Sequence, residues 1–532
     1  MAKPCNMVAV SLHRQSVKIN SNNKQMKLKS LAIIALGLVS STVAFSQEEK
    51  IDTLNVHEQR ITSIEDAVTQ AKKLKFSGYV QSEWQMSQID INGNASQDMK
   101  VGAGVNAAEK ANAITNPGST FSRFGVRRGR LKATYTDFGC TGVFYIDATE
   151  KGVVLKEAYV AALDPWAGII TLKGGIFNKP FGYEIEYSSS SRETPERSRV
   201  IQTLFPNERD LGAMITLQAP KGTPWSVLKL DLGLLSGNAI GLDSKSKKDL
   251  VAHLNYTNST ANIKYAIGAS LYNGYVLQPT RNVYSLSDNV FKVDSTLSNK
   301  NGYANKQYFG FDGQFSLASV AGLTTIRGEY IFGTQVGSSS SSKSNDFSIS
   351  PSANPTTTST LGSDNKTITS TTTLGSSTPV VTADAFLRKF TGGYIQLSQD
   401  IADTKHTITV KYDWYDSNVG ISGNNIGAAL TDAQIAENTA AVAAKRPTTY
   451  IASNKTDIAY STIGFGYMYR MNNNIKFMVY YDIPVNETTI GNFVKPVATT
   501  ANPNPVAAAP TGVDYSKVLA ANLLTVRMQV KF

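Results

Sequence analysis

The sequence predicts an all-β fold, a 16-stranded antiparallel transmembrane β-barrel over residues 75–532 with a short periplasmic helix ahead of it. Three observations carry that expectation. From Lys75 onward apolar residues recur with period two, the signature of strands with unlike faces. The segments between them are by turns short and long, as in a barrel with tight turns on one rim and long loops on the other. Charged residues make up only 17% of the 532, with 24 Tyr and 21 Phe, yet the mean hydropathy of -0.18 is far from that of a bundle of membrane helices.

Taken from the N-terminus, the one long apolar run is Leu31–Val39, behind Lys27 and Lys29 and too short to cross a bilayer as a helix. It reads as the core of a signal peptide over 26–46, cleaved after Ala44-Phe45-Ser46, with residues 1–25 either an over-called start or an unusually long n-region. No Cys follows the cleavage site, so no lipid anchor is expected. Loss of Lys3, Arg14, Lys18, Lys24, Lys27 and Lys29 leaves 46 of the 52 basic residues against 41 acidic ones, a net charge of +5 in place of +11. The basic balance is therefore no nucleic-acid footprint. Cys140 is then the sole cysteine, and no disulfide framework is available.

Residues 47–74 place Leu54, His57, Ile61, Ile64, Val68 and Ala71 at alternating spacings of three and four, a short a/d stripe. Both a periplasmic coiled coil and a lone amphipathic helix starting at the Thr62-x-x-Glu65 capping box fit this pattern.

Strands are expected near 75–89, 121–137, 139–148, 153–164, 168–179, 209–220, 226–238, 248–257, 261–277, 306–318, 322–336, 384–401, 404–417, 456–470, 474–485 and 520–532. Leu228, Leu230, Leu232 and Leu234 alternating with Lys229, Asp231 and Gly233 show the pattern, as do Ile408, Val410, Tyr412 and Trp414 against Thr409, Lys411 and Asp413. Short connectors fall at 137–139, 220–225, 258–261, 319–322, 402–403 and 471–473, and long ones at 90–120, 180–208, 278–305, 337–383, 418–455 and 486–519. Of these, the 337–383 extracellular loop is Ser/Thr-rich, with 24 such residues in the 43 from 338 to 380, and has little to bury. The last strand alternates Leu524, Val526, Met528 and Val530 with Thr525, Arg527 and Gln529 and ends on Phe532. That pattern looks like an outer-membrane assembly signal, so the outer-membrane assembly machinery is an expected partner. A secreted sandwich or solenoid would alternate too, but with fewer strands or one short repeat.

No catalytic, cofactor or metal site is expected. His57, His253 and His406 share no close spacing with Cys or carboxylates, and Asp90-Ile91-Asn92-Gly93-Asn94 lacks the spacing of a calcium loop. The informative stretch is basic. Alternation puts Arg128, Arg130 and Lys132 on one face of a strand and Leu131, Ala133 and Tyr135 on the other. Arg or Lys at the lipid midplane costs about 2–4 kcal/mol, so the basic face must line the lumen. Arg127 has the opposite parity and either lies near an interface or is turned inward by a bulge. A basic lining concentrates anions. The alternative is that these arginines are balanced by Glu83, Asp231, Asp312, Glu329, Asp413 and Asp482, which parity also sends to the lumen.

Phe124-Gly-Val-Arg-Arg-Gly-Arg-Leu131, Lys156-Glu-Ala-Tyr-Val160, Gly175-Ile-Phe-Asn-Lys-Pro-Phe-Gly-Tyr-Glu184, Ser188-Ser-Ser-Ser-Arg-Glu-Thr-Pro-Glu-Arg-Ser198 and Leu204-Phe-Pro-Asn-Glu-Arg-Asp-Leu-Gly212 resemble the phosphate-selective porin O and P family in its Bacteroidota form. The match is strongest over 121–218. The resemblance implies a trimeric outer-membrane porin of a Gram-negative cell whose third extracellular loop, here 182–208, folds inward, with arginines at the constriction. By position Arg127 and Arg128 match the paired arginines of the family and Arg130 the one that follows. The expected function is passive diffusion of small hydrophilic solutes with a preference for anions such as phosphate. The expected lining is Arg127, Arg128, Arg130, Lys132, Arg192, Arg197, Arg199 and Arg209. Glu193, Glu196 and Glu208 nearly match the loop cations, so the preference should be modest. A plugged structural or adhesin barrel and a barrel hydrolase are the other readings.

Overall fold

The computed structural model describes residues 72–532 except 91–92, 117, 207, 279, 344–355, 362–367, 374–383, 488 and 490–520. The signal segment, the whole Leu54–Ala71 stripe and nearly all of the 486–519 loop lie outside them. The chain divides near Leu74, and the unit from Lys75 to Phe532 is the barrel.

Its sixteen strands are β1 (Leu74–Gln88), β2 (Thr120–Asp137), β3 (Cys140–Thr149), β4 (Gly152–Leu163), β5 (Ile170–Asn178), β6 (Arg209–Gln218), β7 (Leu228–Leu235), β8 (Asp249–Ser259), β9 (Ile263–Leu277), β10 (Tyr303–Ser319), β11 (Gly322–Gly337), β12 (Ala385–Asp400), β13 (His406–Asp416), β14 (Ala459–Arg470), β15 (Ile475–Pro484) and β16 (Leu523–Lys531). Each pairs with the next, and β16 returns antiparallel to β1 from Tyr79↔Lys531 to Ser87↔Leu523. Gly78 and Phe532 exchange both backbone hydrogen bonds at 3.0 Å, which completes the seam. Closure leaves the sheet without an open edge, the condition for a sheet to cross a bilayer.

Seven connections on one rim are short, from 138–139 to 219–227. The other rim carries 89–119, 179–208, 236–248, 278–302, 338–384, 417–458 and 485–522, with 150–151 the single tight turn among them. The long loops hold structure of their own. Helix α1 (Ala107–Thr115) starts at an Asn106/Glu109 capping box, α2 (Arg199–Leu204) lies in the 179–208 loop, and α3 (Asp432–Ala443) starts at a Thr431/Gln434 box. A hairpin of Val283–Ser287 and Val290–Asp294 turns at Asp288 and Asn289, with φ of +50° and +66°, values that suit a two-residue hairpin turn. It pairs with the start of β12 and with Tyr450–Ala452. Within the Ser/Thr-rich loop, Thr356–Leu361 and Ile368–Thr373 form a second hairpin, in keeping with the strand preference of threonine.

The outward face is apolar. Val160, Leu172, Ile267, Phe311, Ile395, Ile408 and Phe465 are all exposed, a belt that fits lipid and would be an aggregation hazard in water. Phe138, Trp166 and Trp225 stand exposed in the short turns, where amphipathic or bulky rings meet headgroups. No described helix is long and apolar enough to cross a membrane.

Candidate functional site

The largest hydrophobic cluster is inside the barrel. Phe181, Ile185, Val200, Ile201, Leu204 and Phe205 of the 179–208 loop pack on Phe177, Met214, Leu235, Val251, Tyr272, Tyr308, Ile331, Phe390 and Tyr415 of the wall. Glycines make the fit possible: Phe181 lies over Gly310 on β10 and Val200 over Gly392 on β12, where a Cβ would come within 2.8 Å and 2.7 Å of them. Phe205 meets Tyr272 and Tyr308 edge-on at 5.8 Å and 5.7 Å. One apolar face of the loop is thus bound to β5–β13.

Polar groups fix the rest of the loop. Glu184 pairs with Lys411 at 2.9 Å and accepts the Ser198 N–H at 2.9 Å, and Glu193 pairs with Arg327 at 2.7 Å. On the opposite wall Gln81 and Gln529 donate to the carbonyls of Ser189 and Ser190 at 3.1 Å and 3.0 Å, Lys476 donates to the Arg192 carbonyl at 3.0 Å, and Arg527 to the Pro195 carbonyl at 2.9 Å. The loop therefore crosses the lumen, bonded at both sides.

Arg127 points inward against its parity. Its Nε and Nη2 donate to the two oxygens of Glu196 at 2.6 Å and 2.9 Å, and the next residue, Arg128, reaches the same carboxylate at 3.1 Å. Consecutive residues of a regular strand would diverge. Here the β2–β3 ladder is paired only from Arg130 onward, and the Val126 and Gly129 N–H groups bond the side chains of Glu150 and Asp147, both at 3.0 Å, instead of a neighbouring strand. That irregularity turns both arginines inward.

Two chambers flank the loop, the inner one against β1–β6 and the outer one between Arg127 of β2 and the 89–119 and 338–384 loops. The outer one, about 640 Å³, is lined by Lys100, Arg127, Arg197, Arg199 and Lys343 against Asp98, Glu196 and Glu208. The inner one, about 450 Å³, is lined by Arg130, Lys132, Lys173, Arg197, Arg209 and Lys531 against Glu157 and Glu186. Arg197 lines both, so they adjoin at that side chain. Cations exceed carboxylates in each. None of Glu83, Asp231, Asp312, Glu329, Asp413 and Asp482 lines either chamber. Glu83 pairs with Arg527, Asp231 with Lys229 at 2.7 Å, and Asp312 meets His253 at 3.1 Å, while Glu329 and Asp413 accept the loop N–H groups of Glu184 and Arg199 at 3.1 Å and 3.2 Å.

The eight basic residues singled out in the sequence separate accordingly. Arg127, Arg197 and Arg199 line the outer chamber, and Arg130, Lys132, Arg197 and Arg209 the inner. Arg130 bonds Asp147 at 3.1 Å between the Tyr79 and Tyr145 rings, and Lys132 and Arg209 both reach Glu157, at 3.7 Å and 3.1 Å. Arg199 reaches Gln97 at 2.7 Å and Asp98 at 3.3 Å and covers the Tyr460 ring. Arg128 and Arg192 are buried and line neither chamber. Lys100, Lys173, Lys343 and Lys531 join the linings from outside the expected set. Alternation alone, with Ile170 and Leu172 outward, places Lys173 in the lumen, whereas the two loop lysines carry no periodic signal.

Among the described residues no group of three or more His, Cys, Asp or Glu could hold a metal ion. No family model matches the chain, and no curated protein does. Solved structures similar to it include OprB of Pseudomonas putida at high pH (8% identity, 92% of this chain and 100% of that one, TM-score 0.44) and an anion-selective porin from Comamonas acidovorans (9%, 86% and 99%, TM-score 0.42). Another is OmpT of Vibrio cholerae in its trimer form, at 10% identity over 86% and 99% with a TM-score of 0.40. The location rests on the fold itself. An even-stranded closed antiparallel barrel with an apolar belt and unequal rims is the architecture of bacterial outer membranes, and this chain is an outer-membrane protein.

Proposed function

We propose that the protein is a diffusion porin that passes small hydrophilic solutes along the β1–β6 side of the lumen and prefers anions, phosphate among them. The observation that carries the reading is the unequal charge of the two chambers, five cations to three carboxylates and six to two. In a narrow aqueous path with low-dielectric walls such an excess attracts anions and repels cations. None of the six carboxylates that could have balanced it lines either chamber. Arg127, Arg130, Lys132, Arg197, Arg199 and Arg209 are the lining residues of this proposal, with Lys173 added. Arg128 acts behind the lining, where it holds the loop through Glu196, and the Arg192 side chain is buried within the loop.

Because the loop is bonded to both walls, a plugged barrel is the competing reading. Single-channel recording in planar bilayers separates them: the proposal requires unitary current steps, and a purified, folded barrel that never conducts is a plugged one. The homotrimer implied by the family resemblance belongs to the same proposal and is read from native mass in mild detergent.

A further inference from the structure

Glu208 sits where the chambers adjoin, between Arg197 of the loop and Arg209 of β6, and pairs with both. The other two nitrogens of each guanidinium already have partners. Arg197 Nε and Nη2 bond the carbonyls of Glu184 and Ile185 at 2.7 Å and 3.0 Å, and Arg209 Nε and Nη2 bond Glu157 Oε1 at 3.4 Å and 3.1 Å. What remains on each is Nη1, and both Nη1 groups converge on the Glu208 carboxylate. The backbone that aims this carboxylate is unusual. Glu208 has a φ of +61°, a region that costs a side-chain-bearing residue free energy, and is held there by its N–H to the Phe205 carbonyl at 2.9 Å and by the Lys179 N–H to its own carbonyl at 3.0 Å.

Two preorganised guanidinium groups facing one point form an oxyanion site, and its present occupant is a carboxylate of the same chain. We propose that Glu208 is an intramolecular competitor at the anion site of the conduit, and that a permeating oxyanion of carboxylate or phosphate type advances from the outer to the inner chamber by displacing it from Arg197 and Arg209. The inference rests on the anion-porin reading. It adds what that reading lacks, a residue that limits how tightly anions are held, since each bound oxyanion must first break two charge-assisted contacts and is expelled as they reform.

The test is block of chloride current by inorganic phosphate in planar bilayers. In Glu208→Gln the concentration of phosphate that halves the current should fall by about fivefold, the factor expected for losing a competitor of modest strength. Glu186→Gln removes the same charge from the inner chamber away from the site and should shift it far less. Glu208→Asp, which keeps the charge but withdraws it by one methylene, should fall between wild type and Glu208→Gln and serves if the latter does not assemble. Equal shifts in Glu208→Gln and Glu186→Gln, or no shift in any Glu208 variant of an anion-selective wild type, overturn the competitor role alone. A cation-selective wild type overturns the porin reading on which it rests.

Discussion

Glu83 on the first strand and Arg527 on the last stand directly opposite each other in the closing register and form an ion pair with both side chains fully buried. Arg527 also donates to the Pro195 carbonyl of the inward loop, so one side chain joins the barrel seam to the lumen.

Removing one member of a buried pair leaves an uncompensated charge, at a cost of about 3–5 kcal/mol. Arg527→Met should therefore sharply lower the temperature at which the folded barrel unfolds on a detergent gel. The double variant Glu83→Gln with Arg527→Met should recover much of the loss. No difference between single and double variants would show that the pair is not coupled.

The loop should be released by damage to its core. Phe181 is fully buried, and truncation of such a phenylalanine costs about 3–5 kcal/mol. Gly182 beside it has a φ of +61°, and a Cβ there would fall 1.7 Å from Glu329 Oε1. Phe181→Ala and Gly182→Val should leave the barrel assembled but raise single-channel conductance and its noise as the loop leaves the wall. Unchanged conductance in both would separate the loop from the conduit.

In the turn between β4 and β5 Asp164 accepts the N–H groups of Trp166, Ala167, Gly168, Ile169 and Ile170 at 2.7–3.2 Å. Those backbone donors, Ile170 and Ala167 foremost, pull its carboxyl pKa down to about 2. Because the folded value lies below the unfolded one of about 3.9, the turn is stabilised above that pH and loses the contribution as pH falls through about 2. Amide exchange at residues 166–170, followed between pH 5 and 2, should stay protected in wild type and become fast in Asp164→Ala. Protection already lost near pH 4 would contradict the shifted carboxyl.

Strand number and position were legible because alternation and turn length are local properties, and all sixteen segments lie within a few residues of their expected places. Other elements left weaker marks. Asp288-Asn289 between two alternating runs signalled the extra hairpin, and Thr431-x-x-Gln434 signalled α3, but both were inside long loops where no strand count demanded them. The inward turn of Arg127 follows from a ladder irregularity that parity alone cannot locate. Least legible was the fate of the lumen carboxylates. Parity sends Glu329 and Asp413 inward correctly, but their contacts depend on a loop brought onto them from more than a hundred residues away in sequence.

Charge in the lining should set selectivity in proportion to exposure. Neutralising Lys132 and Lys173 together, which face the inner chamber, should reduce the anion-to-cation permeability ratio, whereas Lys229→Gln, outside both chambers, should not. An equal effect of the two changes would place the selective region elsewhere.

The most direct test of the central claim is the reversal potential of the wild-type pore across a tenfold potassium chloride gradient, from about 0.01 M to about 0.1 M, where the Debye length of roughly 30 to 10 Å leaves the lining charge unscreened. A potential of the sign set by chloride is expected, reduced toward zero when Arg127, Arg130 and Lys132 are changed to alanine together. A wild-type potential of the sign set by potassium would contradict it.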